Sequence, residues 1–296
     1  MPREPASVEL RITQWGAFAR RFAGRHSNAH VVARFERSLH IAAGGDVICV
    51  VAPELGNGPL NAVLDAGSAQ QLARRAIREG ASVGFDRASA RMGHACTIIT
   101  GNAASWLPPA PTLHPDRIFA MPGMIARLAV LADKAAGNDG LARLALGLDV
   151  PDTALARVAR PRLARLAGWL AHASSISDNP PPTDLIGLGP GLTPSGDDVL
   201  CGVLIALAGL QRHHELHEIN LRIAAAAPAL TSPLSRAFLA AAADGQAAAS
   251  LHRAVNAMLD GDAAALPGCI AEASRIGHTS GWDALAGAAM ALKSSA

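Results

Sequence analysis

The sequence predicts an α+β protein in two parts: a β-rich N-terminal domain over residues 1–120, then an alanine-rich, all-helical domain over 121–296 that carries the site. Three observations support this. β-Branched runs broken by glycine turns fill the first part. After Gly123 the apolar residues recur at helical spacing and no strand pattern returns. Between the two, WLPPAPTLHP (residues 106–115) is too rich in proline for a regular element and marks the boundary.

Within the first part, residues 30–42 (HVVARFERSLHIA) alternate in part, with Val31, Ala33 and Phe35 on one parity. Gly44-Gly45 supplies a turn and residues 46–52 (DVICVVA) a β-branched strand, so the two segments predict a hairpin. Gly56-Asn57-Gly58-Pro59 is a dense turn signal before LNAVLD. Residues 70–79 predict a helix and 95–100 (ACTIIT) another strand, with His94 beside it in a structural role. In the second part, helices are expected over MIARLAVLADKAA, LARLALGL and residues 152–174. NPPP (residues 179–182) is a second break, after which helices are expected at 197–212, 215–227, 233–244, 247–259, 262–275 and 281–293. His213, His214 and His217 cluster at a helix junction, where capping and solvation suit them better than metal binding, since no HExxH motif accompanies them.

Half of the 296 residues are hydrophobic, much of that alanine, while aromatics make up 3% with no tyrosine; closely packed helices with small contact residues are the consequence. A net charge of +2 without a Lys/Arg run gives nucleic-acid binding no support. Cys49, Cys96, Cys201 and Cys269 are far apart, with no CxxC, and read as small buried hydrophobes in a reducing compartment. MPREPASVEL lacks a signal-peptide apolar core, and the longest apolar run, from Val199 to Leu210, is too short to span a bilayer. A cytoplasmic protein is expected.

The stretch DLIGLGPGLTPSGDDVLCGVLIAL (residues 184–207) organises the second part. Gly187, Gly189 and Gly191 open a loop that runs into a helix start, where free N–H groups and the helix dipole favour anions. Thr193 or Ser195 is placed to cap that helix, and Ser195 with Asp198 resembles a capping box. Gly191 and Gly196 have Walker A spacing, but Asp197-Asp198 occupy the Lys and Ser/Thr positions; Leu192 stands where a dinucleotide fingerprint needs its third glycine. Carboxylates beside an anion site leave three readings open. They complement the helix dipole; they hold a divalent cation such as Mg²⁺ on Asp197 and Asp198; or one accepts an N–H from a ligand whose anionic end rests on the amides.

The pattern Ser-Gly-x-Asp-x-Leu-x-Gly then recurs, at residues 195–202 and again at 280–287. The final glycine lies about two turns up each helix, where it costs roughly 1 kcal/mol against alanine; close helix–helix approach explains it. The repeat predicts two helices side by side with N-termini converging on one ligand. Gly189, Gly191 and Gly196, with the hydroxyls of Thr193, Ser195, Thr279 and Ser280, would bind it, and Asp198 and Asp283 would support the caps. Asp197 matches Trp282 and is unexplained by the repeat, so it is the candidate for chemistry, with His278 as the imidazole acid/base.

At these residues the sequence resembles the AllH-like family, whose hallmarks look like LIGLGPGLTPSGDD (residues 185–198) and IGHTSGWDAL (276–285). Gly56-Asn57-Gly58-Pro59 also looks like that family's N-terminal turn, which adds Asn57 as a substrate-binding candidate. Thr231-Ser232-Pro233-Leu234-Ser235 departs from a Thr-Thr and Ser pattern that has no proline. The resemblance implies a subunit of the oxamate carbamoyltransferase of allantoin breakdown, a branch of purine degradation. Such an enzyme converts oxalurate and phosphate into oxamate and carbamoyl phosphate, as a hetero-oligomer with FdrA-like and AllG-like subunits and no cofactor. Two other readings stay open: a stand-alone Mg²⁺-dependent phosphate-handling enzyme, and a non-catalytic assembly subunit.

Overall fold

A computed structural model describes residues 7–86, 88–92, 96–109, 119–172 and 180–295 of the chain. His94 lies outside the described residues. The chain divides into two compact units, Met1–Pro108 and Pro109–Ala296. The first is a β-barrel and the second is helical.

In the first unit Gly44 and Gly45, at φ 58° and 90°, form a two-residue connection between β3 (Ser38–Ala43) and β4 (Asp46–Val51), with Ala43 opposite Asp46. The expected hairpin is thus present, but residues 30–42 are not one strand. β2 (Asn28–Arg34) ends four residues before β3 begins, at a turn where the Phe35 N–H donates to the Ser38 carbonyl at 2.9 Å. The other strands are β1 (Val8–Gly16), β5 (Asn61–Leu64), β6 (Ser82–Phe85), β7 (Ser89–Met92), β8 (Cys96–Ile99) and β9 (Ala104–Trp106). Their order is β5-β4-β3-β2-β6-β7-β8-β1-β9, and β5 pairs again with β1. That pairing closes eight strands into a ring and leaves β9 extending the parallel edge of β1.

Alternate residues fill the barrel, among them Leu10, Ile12, Leu39, Ile41, Ile48 and Val50. Helix α1 (Ala17–Arg25) adds Phe22 to that core. Its first amides, on Phe18 and Ala19, both donate to the Pro59 carbonyl at 3.0 Å. The Gly56–Pro59 segment is therefore the cap of α1. Helix α2 (Ala66–Ala73) starts earlier than the expected 70–79 because Asp65 caps it, accepting from the Ser68 N–H at 2.7 Å.

The second unit is built around two helices, α6 (Ser195–Gly209) and α11 (Ser280–Lys293), both buried along almost their whole length. A helix apolar on every side belongs in the middle of a bundle. Around them lie α3 (Met121–Ala135), α4 (Ala142–Ala145), α5 (Ala154–His172), α7 (His213–Leu230), α8 (Pro233–Ala243), α9 (Ala249–Leu259) and α10 (Leu266–Ala273). α6 packs more extensively on α11 than on any other element. A Cβ on Gly202 would fall on the Ala284 carbonyl oxygen, and one on Gly287 on the Val199 carbonyl oxygen. The contacts are reciprocal, residue for residue, and they explain the shared glycine. Among the described residues no helix is long and apolar enough to cross a membrane.

Substituting Gly202 by alanine should lower the unfolding free energy by about 2–3 kcal/mol through overpacking against backbone. The control is Gly168→Ala on the open face of α5, where nothing lies within 4 Å of the added carbon and a gain of roughly 0.5–1 kcal/mol is expected. Urea unfolding followed by circular dichroism compares the two.

Candidate functional site

The glycine loop takes its shape from backbone that other residues avoid. Gly187, Gly189 and Gly191 have φ of 73°, 117° and 95°, and a Cβ on Gly187 would collide with the Leu230 carbonyl. The loop folds back so that the Gly196 N–H donates to the Leu188 carbonyl at 2.8 Å.

Asp197 fixes this arrangement. Its carboxylate is fully buried and accepts from the Gly187 N–H at 2.8 Å on one oxygen. The other oxygen accepts from the hydroxyls of Thr231 and, at 2.6 Å, Ser235. Ser232 caps α8 through the Ser235 N–H and donates from its hydroxyl to the Leu192 carbonyl. The segment departing from the family pattern therefore ties the loop down. Thr231 and Ser235 are contributors that sequence reasoning missed. The signal was a cluster of hydroxyl residues at a helix start, thirty-odd positions from the aspartate it serves.

The two helix starts come together as the repeat suggests. Thr193 Oγ1 lies 3.0 Å from Ser280 Oγ, and Ser195 Oγ lies 3.5 Å from Thr279 Oγ1. The capping boxes do not form. Neither Pro194, the cap of α6, nor Thr279, the cap of α11, makes a side-chain cap bond. The hydroxyls point across the helix pair instead: Ser280 sits beside Asp198, while Ser195 and Thr279 sit beside Asp283. Asp283 also reaches the start of α4, where its Oδ1 accepts from the N–H groups of Leu141 and Ala142, both at 2.7 Å. Gly140 lets that segment approach, because a Cβ there would lie 2.7 Å from the carboxylate oxygens.

Three aspartates are thus buried in one small region, Asp197 and Asp283 completely and Asp198 to within 8%. Burial pushes the Asp198 carboxyl well above the usual carboxylate range; the Ser280 hydroxyl opposes the shift, and the charges of Asp283 and Asp197 add to it. Burial raises Asp283 as well, against the pull of the Ser195 and Thr279 hydroxyls and the Leu141 and Ala142 amides. The Cys201 thiol next to them is raised by burial and by Asp198 and Asp197.

The remaining candidates lie elsewhere. His278 stands at the surface, its ring Nε2 3.2 Å from Asp139 Oδ2, with 84% of its side chain exposed. Asn57 belongs to the barrel unit, half-buried in the turn that caps α1. Among the described residues no three His, Cys, Asp or Glu side chains form a metal-binding group.

Residues 185–292 match the family model of AllH, the oxamate carbamoyltransferase subunit. That span runs from Leu185, just before the glycine loop, to the last turn of α11, and so contains both helix starts and Thr231 and Ser235. No curated protein and no solved structure matches the chain.

A carboxyl raised by folding favours the folded state below about pH 4 and loses that contribution as the pH climbs through its folded pKa. Asn in place of Asp198 keeps the shape of the neutral acid and cannot ionise. The stability of Asp198→Asn relative to the unsubstituted chain should therefore grow from pH 4 toward pH 8. Thermal melts across that range measure the difference.

Proposed function

We propose that this chain is an AllH-type subunit of an oxamate carbamoyltransferase, binding oxalurate or carbamoyl phosphate where the glycine loop meets the starts of α6 and α11. The observation that carries the reading is that the family match spans the segment in which these two helix starts converge. Phosphate or carboxylate would rest on the loop and helix amides, near Gly189, Gly191 and Gly196 and the hydroxyls of Thr193, Ser195, Thr279 and Ser280. In the reaction a phosphate oxygen attacks the carbamoyl carbon of oxalurate. The bond from that carbon to the oxamate nitrogen breaks, and the nitrogen leaves with a proton as oxamate. Negative charge gathers on the carbamoyl oxygen, and hydroxyl and amide donors of the site would stabilise it.

In this reading Asp197 is a positioning residue, because both its oxygens are engaged in holding the loop and Thr231 and Ser235. His278 would act, if at all, from the exposed rim with Asp139. FdrA-like and AllG-like subunits would supply the rest of the active site, and the pathway would be allantoin catabolism.

Calorimetric titration of the purified chain with carbamoyl phosphate, oxalurate and phosphate, each with and without Mg²⁺, tests this. Binding of the carbamoyl ligands without metal is expected, weakened by at least about tenfold in Asp197→Ala, which strips the loop of its anchor. Binding that appears only with Mg²⁺ would replace this reading with a metal-dependent phosphate site. No binding by the chain alone, followed by none with partner subunits added, would overturn it.

A further inference from the structure

A cavity of about 300 Å³ opens on the helical unit between α3, α4, α5 and α11. Arg160, Leu163, Ala164 and Ala167 recur at i, i+3, i+4 and i+7 and so bring one face of α5 to it. Two of those four are alanines, too small to fill the space that Ile125, Leu144, Leu163 and Met290 wall off. The paired helix starts lie elsewhere. Ser280 and Asp283 precede Met290 on α11 by ten and seven residues, which separates them from the cavity by about 10–15 Å along the helix.

Two cations border this cavity, Arg160 on α5 and Lys293 on α11, both exposed, and none of its lining residues is acidic. Among the described residues neither cation has an ion pair or a hydrogen bond. Other arginines of α5 are matched: Arg157 pairs with Asp152, and Arg162 and Arg165 with Asp184. Lys293 stands in the last turn of α11, where a cation complements the helix dipole. Arg160, inside α5, has no such explanation. An apolar hollow takes hydrocarbon out of water, and an anionic head beside two like charges relieves their repulsion.

We propose that this cavity binds a single-chain amphipathic carboxylate, with its hydrocarbon against Ile125, Leu144, Leu163 and Met290 and its head at Arg160 and Lys293. The volume equals the liquid share of about ten waters, which suits a chain of medium length. It is too small for a helix of another protein, whose diameter with side chains is about 10–12 Å. An inorganic anion would make no use of the apolar walls, and a neutral hydrocarbon none of the cations.

Calorimetric titration of the full chain at pH 7.5 with octanoate, butanoate and octylammonium provides the test. Octanoate is expected to bind with a dissociation constant below about 1 mM. It should bind at least about tenfold more tightly than butanoate, which offers less hydrocarbon. The same margin is expected over octylammonium, which sets a third cation beside the two. Ala164→Phe fills the cavity from an exposed position of α5 and should abolish octanoate binding with an unchanged circular-dichroism spectrum. Arg160→Glu combined with Lys293→Glu, both at exposed positions, should turn the preference toward octylammonium. Failure of octanoate to bind overturns the assignment. So does equal affinity for octanoate and octylammonium, or octanoate binding that survives Ala164→Phe.

Discussion

The helical unit depends on the approach of α6 to α11. Gly202 lies against the Ala284 carbonyl and Gly287 against the Val199 carbonyl, so each helix gives the other a place where only a hydrogen atom fits. Contact at that range aligns the two helix starts. It brings Thr193 to Ser280 and Ser195 to Thr279. It also forces Asp198 and Asp283, one turn into each helix, to share a dry space. Any wider spacing would admit water between the acids and bring them back toward ordinary titration. The electrostatics of the site are thus a consequence of two glycines a further turn along.

The same geometry divides labour among the three aspartates. Asp197 is as deeply buried as Asp283, yet its environment supplies a donor for each of its interactions: one backbone N–H and two hydroxyls. Such a side chain is a structural tie, since both of its buried oxygens have hydrogen-bond donors. Asp198 has no comparable set and keeps an unpartnered oxygen. Asp283 lies between the two, satisfied at one oxygen by the α4 amides and open at the other. A gradient of satisfaction therefore runs from the loop anchor to the helix crossing, and unspent hydrogen-bonding capacity collects at the crossing.

Much of this was legible in the sequence, and the parts that were not have physical reasons. The six C-terminal helices show in the apolar spacing because each presents a face to α6, α11 or their neighbours. The repeated Ser-Gly-x-Asp-x-Leu-x-Gly correctly announces two helices side by side. Its capping box was misread, because side chains that could cap their own helix have a partner helix within reach, which a linear pattern cannot display. The reversal between β2 and β3 passes through Phe-Glu-Arg without a glycine or proline, so no turn signal separates the strands. β1 was missed for another reason: it pairs antiparallel with β5 and parallel with β8 and β9, with an irregularity between Ile12 and Gln14. Its role as the closing strand is written in its partners.

The glycine loop itself changes meaning once its ties are known. Three positive-φ glycines ahead of a helix suggest backbone held open for an anion. The structure adds that this backbone is held from behind, by Asp197, and from the side, by Ser232 on the Leu192 carbonyl. A loop so anchored is preorganised, and preorganised donors stabilise charge without the reorganisation that water requires.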